Sequence, residues 1–185
     1  MSRILQYGGI AASVVLIAFG VGSIVTGIDG RDRVRDDLKR EQIVGTPDST
    51  IPNKLVDTGA RAEAFAKVMR KHTLEATGGK TYAELPRYAT ADGKGTNDEA
   101  AATKDAKGKP VDNPLRGLWV QETALTTALN TAYFAESVAT FAIIMGFGLL
   151  LAGVGFLVLT LRVLRRLEHD AEREPAPAPK VALSS

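Results

Sequence analysis

Two histidines, His72 and His169, are the strongest candidates for metal or acid–base chemistry in this chain of 185 residues, which contains no cysteine. A two-histidine, one-carboxylate iron site needs both imidazoles on one metal, and a single histidine without cysteines makes a poor zinc site. A long apolar stretch separates the two histidines, so we expect them on opposite sides of a membrane. We therefore predict no metal ligand, no catalytic residue and no cofactor, and we interpret His72 as a packing or interhelical hydrogen-bonding residue.

Two short motifs resemble ligand-binding loops but lack residues that the chemistry requires. The sequence GGKT at Gly78 to Thr81 resembles the end of a phosphate-binding loop, but Leu74 stands where the first glycine belongs. The sequence DGKGTNDE, which begins at Asp92, resembles a calcium loop, but Lys94 occupies a ligand position and Asn97 replaces the turn glycine. An enzyme is therefore the least favoured class, since no nucleophile, base and orienting group can be paired.

Two stretches of 25 residues without a charged side chain, Ile4 to Ile28 and Ser137 to Leu161, define the elements that position everything else. At about 1.5 Å per residue, each helix would reach roughly 37 Å, which exceeds the ~30 Å hydrocarbon core of a bilayer. Lipid offers no partner for backbone polar groups, so both spans should be helices. The apolar core of the first stretch exceeds the 7–15 residues of a signal-peptide core, which favours a retained anchor.

The predicted fold class is an all-α membrane protein, in which two transmembrane helices form a hairpin with a small helical-bundle domain between them. The predicted divisions are a short N-terminal end (1–3), transmembrane helix 1 (4–28), a helical extramembrane domain (29–136) with a flexible loop (about 80–112), transmembrane helix 2 (137–161) and a basic, then Pro/Ala-rich tail (162–185).

The charges beside the two stretches give opposite indications of which side the domain faces. Five basic residues, Arg31, Arg33, Arg35, Lys39 and Arg40, follow the first stretch, and three, Arg162, Arg165 and Arg166, follow the second. Positively charged flanks stay in the cytoplasm, but loops beyond about 60 residues translocate largely regardless of charge. We therefore predict a bacterial plasma-membrane protein with both termini cytoplasmic and the 108-residue domain outside.

Three helical segments are predicted in the domain. Val34 and Leu38 form a thin apolar stripe on a helix that leaves the first span. A second helix is predicted from Asn53, as its cap, to Thr77, with Gly78 and Gly79 after its end. Its apolar stripe comprises Ala62, Phe65, Met69, His72 and Ala76.

The third segment is predicted to run without a break into the second span. Asn113 is a capping residue, and Pro114 occupies the first helical position, where proline is favoured. The residues at helical spacing that follow are Leu115, Leu118, Glu122, Leu125, Leu129 and Ala132. We predict one continuous helix from about Pro114 to Leu167.

Small residues in both spans predict close helix packing, and flanking residues predict contact with the membrane interface. Small side chains four residues apart let helix backbones approach closely in lipid. The predicted packing residues are Gly8, Ala12, Ala18, Gly22, Ser23, Gly27, Ala142, Gly146, Gly148 and Ala152. The predicted interface residues are Tyr133, Phe134, Arg162, Arg165 and Arg166.

The charge balance and the small size of the domain limit the classes of partner that we expect. The domain from residue 29 to residue 136 carries 17 basic and 17 acidic residues, so it lacks the basic face of a nucleic-acid-binding protein. A core of three short helices is marginal. We expect the lipid bilayer as one partner, and a homo-oligomer or another membrane or envelope protein as a second.

The stretches LQYGGIAASVVLIAFGVGSIVTGIDGRDRVRDDLKREQIVGTPD and LWVQETALTTALNTAYFAE resemble a family of uncharacterised actinobacterial membrane proteins. The resemblance covers nearly the whole chain and implies a two-span membrane protein. Some members of that family carry the name aromatic ring-opening dioxygenase. The sequence does not have the histidines that such an activity would use, and no catalytic residue is transferred.

These observations favour a structural or interaction protein that presents a helical extracytoplasmic domain, as an oligomer or an accessory subunit of a membrane complex. An alternative is an extracytoplasmic sensor input. Because 24 residues follow Leu161, too few for a signalling domain, a sensor would act through a separate partner.

Overall fold

The computed structural model describes residues 2–173, which form three α-helices and no β-strand. Helix α1 spans Ser2–Arg40, α2 spans Gly59–Ala76 and α3 spans Pro114–Arg173. Asn113 caps α3 as predicted, because its side-chain oxygen accepts a hydrogen bond from the backbone N–H of Leu115 at 3.0 Å. The Pro/Ala-rich part of the predicted tail lies outside the described residues.

Helices α1 and α3 are long and apolar enough to cross a membrane. Tyr7–Arg40 and Pro114–Val163 contain segments with mean hydropathy of 2.2 and 2.5. Only 11% of each segment is buried inside the protein, whereas the core helix of a soluble protein is mostly buried.

The described residues divide into two compact units. The apolar unit comprises the part of α1 up to Gly27 and the part of α3 from Phe141, and the polar unit comprises Ile28–Thr140.

In the apolar unit the two helices run antiparallel and are in close contact. A Cβ placed on Gly20 would meet the backbone oxygen of Gly146 at 2.8 Å, and a Cβ on Gly9 would meet the Thr160 hydroxyl at 2.7 Å. The numbering therefore rises along α1 as it falls along α3. Backbones this close require residues without a side chain at the contact.

The residues at this contact recur at a spacing of seven. Gly20 and Gly27 are buried on α1, and Gly146 and Gly153 are buried on α3. A seven-residue repeat is typical of left-handed helix pairs, in which the same stripe faces the partner over several turns. Gly27 and Gly146 belong to the predicted packing residues, and Gly20 does not.

The polar unit has a compact apolar core to which all three helices contribute. The buried core residues are Leu38, Ile51, Val56, Ala62, Ala66 and Leu129. Val34 of α1 is packed against this cluster, so the predicted Val34 and Leu38 stripe does face the core.

The predicted start of α2 at Asn53 is wrong. Asn53 has a φ of +57°, a left-handed conformation that asparagine adopts more readily than most residues, and lies in a turn before the helix. The helix begins at Gly59, and the hydroxyl of Thr58 accepts a hydrogen bond from the N–H of Arg61 at 3.4 Å. The predicted end is confirmed, since Gly78 and Gly79 have φ of +64° and +80°.

The first three members of the predicted α2 stripe face the core, since Ala62 is buried and Phe65 and Met69 pack against the core cluster. The stripe differs from the buried face in its last two members. Ala62 is buried as predicted, but Ala76 is exposed, and the side chain of His72 is 43% exposed. Ala66 and Thr73 are buried in their place. The predicted stripe followed apolar type alone, whereas Thr73 can be buried within a helix because its hydroxyl has backbone acceptors nearby.

The segment from residue 80 to residue 112 contains neither helix nor strand, but backbone hydrogen bonds connect its parts. Tyr88 and Thr96 exchange two such bonds of 2.9 Å, and Ala89 bonds to both Val111 and Thr103 at 2.9 Å. The flexibility of this loop stays a prediction.

Candidate functional site

An apolar groove of about 600 Å³ lies in the polar unit, between the three helices. Its walls include Val34 and Leu38 from α1, Phe65 and Met69 from α2, and Leu125 and Leu129 from α3. Leu125, which was predicted to lie on the apolar stripe, is 51% exposed on the groove wall. A groove of this size can take a drug-sized apolar ligand or the apolar side chains of one helix.

One edge of this groove is acidic. Asp37 of α1 and Glu41, which directly follows the end of α1, both line it, and both are exposed. Asp37 accepts a hydrogen bond from Arg40 on its own helix. The groove therefore combines apolar walls with one ion-paired carboxylate, Asp37, and a second carboxylate, Glu41, just after the end of α1.

The three helices of the polar unit meet at the carboxylate of Glu136. Its Oε1 atom lies 2.6 Å from a guanidinium nitrogen of Arg35 in α1, and its Oε2 atom accepts a hydrogen bond from the backbone N–H of Gly59. The first N–H groups of a helix lack intrahelical partners, and a negative charge is favourable beside them. Glu136 therefore joins α1 and the start of α2 to α3.

Gly59 allows α2 to begin in contact with α3. A Cβ on Gly59 would lie 2.8 Å from the Cα atom of Tyr133 and 2.9 Å from Oε2 of Glu136. Real Cβ atoms do not approach backbone this closely, so a larger residue would displace the helix start from the carboxylate.

His72 takes part in an exposed ionic cluster that connects α2 to the turn before it. Its Nε2 lies 2.8 Å from Oδ2 of Asp48, and Nζ of Lys71 lies 3.1 Å from the same oxygen. The hydrogen bond with His72, followed by those with Thr46 and Lys71, lowers the pKa of the Asp48 carboxyl. The predicted hydrogen-bonding role of His72 is therefore seen, but with a turn and not with another helix.

A second cavity, polar and about 690 Å³ in volume, lies where the loop meets the start of α3. Arg87, Arg116 and Tyr82 are among its lining residues. Nearby, Trp119 is buried, and its indole N–H donates to the backbone oxygen of Lys80 at 3.0 Å. In the part of the chain that the structure describes, no group of three or more His, Asp and Glu side chains could hold a metal ion.

The predicted packing residues fall on two different faces of the apolar unit. Gly146 and Gly27 are buried, whereas a Cβ on Gly8, Gly22 or Gly148 would meet nothing within 4 Å. The other predicted members are exposed or half-buried: Ala12, Ala18, Ser23, Ala142 and Ala152. Their packing against a second copy of the chain stays a prediction.

The predicted interface residues are all exposed on α3. Tyr133 and Phe134 are exposed, as are Arg162, Arg165 and Arg166. Exposure is required for contact with lipid headgroups, and the contact itself stays a prediction.

Sequence reasoning missed the Arg35–Glu136 pair and the buried Trp119. Glu136 directly precedes the uncharged stretch of the second span, and it lies at helical spacing with Leu129 and Ala132. This spacing puts Glu136 on the same face of α3 as these two apolar residues. A carboxylate on that face, together with the basic residues of α1, indicates an ion pair between the helices.

Comparisons of the chain with protein-family models, with curated proteins and with solved structures give no match. The function is therefore argued from the chain's own residues and contacts.

Proposed function

We propose that this chain is a two-span protein of the bacterial plasma membrane whose helical domain binds a partner helix in the apolar groove. It would serve as an interaction protein, as an accessory subunit of a membrane complex. The observation that carries the proposal is the groove among the three helices, with exposed apolar walls and an acidic edge.

The exposed apolar side chains of α1 and α3 support membrane insertion. Phe19 is 68% exposed and Leu151 is 70% exposed, and the chain has many such residues along both apolar segments. Contiguous apolar surface of this extent is unfavourable in water and favourable in hydrocarbon. Neither segment has a charged side chain from Ile4 to Ile28 or from Ser137 to Leu161, so lipid can surround both.

The antiparallel contact of the spans and the core of the polar unit support a hairpin with a helical bundle between its spans. Gly20 against Gly146 fixes the direction of the helices in one unit, and Leu38, Ala66 and Leu129 bring three helices together in the other. We infer both termini in the cytoplasm from the arginines after Leu161, and the domain outside.

The groove favours a helix that is apolar on one face and basic beside it. Helix-in-groove recognition uses apolar anchors at successive turns, and Phe65, Met69 and Leu125 offer walls for such anchors. Met69 can adapt its shape to different anchors. Glu41 on one edge would pair with lysine or arginine, and Asp37 would do so in competition with Arg40 of its own helix. This charge complementarity sets orientation and association rate.

Site-specific photocrosslinking in intact cells tests this proposal. Leu125 is replaced with photoreactive benzoylphenylalanine in a chain that is co-expressed with a differently tagged second copy. Asn130, which is exposed on α3 and lines no cavity described above, is the control position. We expect a discrete adduct from position 125, absent at position 130 and weakened by Glu41→Lys.

Three results would contradict the proposal. Equal adducts from both positions would show that the groove is not selective. An adduct that carries both tags would make a second copy the occupant of the groove. An adduct that Glu41→Lys leaves unchanged would remove the role of the acidic edge.

A further inference from the structure

The polar cavity at the start of α3 has features that the partner groove does not explain. It is lined by Tyr82 and Arg87 of the loop and by Arg116 and Val120 of α3. Asn97 and Asn113 also line it. The walls thus come from segments far apart in sequence, which the folded loop brings together.

The two arginines on this cavity have no carboxylate partner within 4.0 Å among residues 2–173. Arg116 stacks on the ring of Tyr82, with its guanidinium carbon 4.1 Å from the ring centre. Arg87 stacks on the ring of Tyr88 at 5.5 Å. Nη1 of Arg116 also donates a hydrogen bond to the backbone oxygen of Leu85 at 3.4 Å, and the other N–H groups of its guanidinium are left for an acceptor.

The loop backbone around these arginines is fixed by asparagine side chains. Asn97 accepts a hydrogen bond from the backbone N–H of Arg87 at 2.9 Å, and Asn113 donates to the backbone oxygen of Pro86 at 2.9 Å. Asn113 is buried. The backbone at Arg87 is therefore held before any ligand arrives, although the residue itself is exposed. An ordered backbone reduces the entropy lost on binding.

The cavity also offers apolar surface to the body of a ligand. Tyr82 is 44% exposed and Val120 is 58% exposed, and both lie on its lining. Asp112 is the one carboxylate among the lining residues, so two arginines leave a formal charge of +1. The charge favours an anion, and the apolar surface favours an organic one over an inorganic one.

We propose that this cavity binds a small organic carboxylate, whose carboxylate is held by Arg87 and Arg116 and whose apolar body lies against Tyr82 and Val120. Guanidinium groups bind carboxylates through paired, charge-assisted hydrogen bonds. This binding uses no residue of the apolar groove walls, so it does not depend on the partner helix. Through this cavity a small molecule could act on the domain.

Fluorine NMR with 4-fluorobenzoate tests the proposal on the full chain in lipid nanodiscs. The neutral isostere 4-fluorobenzamide and empty nanodiscs report binding that does not depend on the carboxylate. Arg87→Gln and Arg116→Gln each remove one guanidinium, and Lys107→Gln removes a loop charge outside the cavity as the matched control. Circular dichroism checks that each variant keeps its helices.

We expect saturable broadening of the benzoate signal and little effect on the benzamide signal. Each arginine variant should weaken benzoate binding by about tenfold or more, since a hydrogen bond to a charged group is lost. Lys107→Gln should leave the affinity unchanged.

The proposal is overturned if benzoate and benzamide broaden equally, or if both arginine variants bind benzoate as the native chain does. Competition by inorganic phosphate at the same concentration as benzoate would also overturn it, because the apolar wall would then contribute nothing. If one arginine variant loses its helices, the other decides the outcome.

Discussion

The contact of Glu136 with α1 and α2 leads to the most specific prediction about stability. Glu136→Gln keeps the shape of the side chain but removes its negative charge. The guanidinium of Arg35 and the N–H of Gly59 then share a neutral acceptor in place of a carboxylate. We expect α2 to open locally far more often, because its start loses the anion that satisfies it.

The magnitude follows from the two charge-assisted hydrogen bonds. Each such bond contributes about 1.5–3 kcal/mol. Glutamine retains one oxygen that can accept one of them, so the opening free energy of α2 should fall by about 2–3 kcal/mol. Glu136→Ala removes both acceptor oxygens and should cost about 3–6 kcal/mol, the contribution of two such bonds.

Hydrogen exchange of the α2 amides in nanodiscs measures this effect, because local opening controls exchange there. A loss of 2–3 kcal/mol corresponds to roughly 30- to 150-fold faster exchange. The matched control is Glu63→Gln, which breaks the surface pair with Lys67 at 2.7 Å. A surface pair contributes about 0–1 kcal/mol, so the control should accelerate exchange by about fivefold at most.

Equal exchange of the α2 amides in Glu136→Gln and Glu63→Gln would show that the Glu136 carboxylate does not hold the start of α2. So would fast exchange confined to α3, because the opening is predicted at the start of α2.

Three further predictions concern the spans, the Asp48 cluster and the tryptophan. Gly146→Ala places a Cβ 2.7–2.9 Å from backbone atoms and should destabilise the spans by about 1–3 kcal/mol. The control is Gly148→Ala, whose Cβ meets nothing within 4 Å. Equal melting temperatures of the two variants in micelles would contradict this prediction. Hydrogen bonding holds the pKa of the Asp48 carboxyl below its ordinary 3.8, so its stabilisation is complete above pH 3.8 and lost as pH falls through the lower folded-state pKa. Asp48→Asn should therefore make the melting temperature depend less on pH in the acid range. An unchanged dependence would contradict a stabilising role of the Asp48 cluster. Trp119→Phe removes the 3.0 Å bond to Lys80 and should lower the free energy of unfolding by about 1–2 kcal/mol, measured with urea, and no change would contradict the bond.

The parts of the fold that depend on local chemistry could be predicted from the sequence. Asn113 followed by Pro114 marks the start of α3, because capping and the proline at the first position act within a few residues. Gly78 marks the end of α2 for a similar reason, since its positive φ suits glycine. Helical periodicity correctly assigned Leu38 and Leu129 to the core.

The parts that depend on contacts between distant residues could not be predicted in the same way. Glu136 is 101 residues from Arg35 and 77 from Gly59, so no local pattern shows that its charge is neutralised. The faces of the spans were assigned from spacings of four, but Gly20 and Gly27 recur at seven, as expected for a left-handed pair. Periodicity alone does not say which of two small-residue faces meets the other span.

The groove could also not be predicted from the sequence. Leu125 is apolar and at helical spacing, which predicts burial, yet it is 51% exposed on a wall that Phe65 and Met69 complete. Whether a stripe residue closes the core or borders a cavity depends on how far apart the helices sit.

Labelling of single cysteines in intact cells tests the central claim, a two-span protein with its domain outside, most directly. The native chain has no cysteine, so Ala100→Cys in the domain and His169→Cys after the second span each give one site for an impermeant maleimide. Both residues are exposed. With the domain outside, Ala100→Cys is labelled in intact cells and His169→Cys is labelled only after lysis. Protection of Ala100→Cys until lysis would place the domain inside, and labelling of both sites in intact cells would contradict the hairpin.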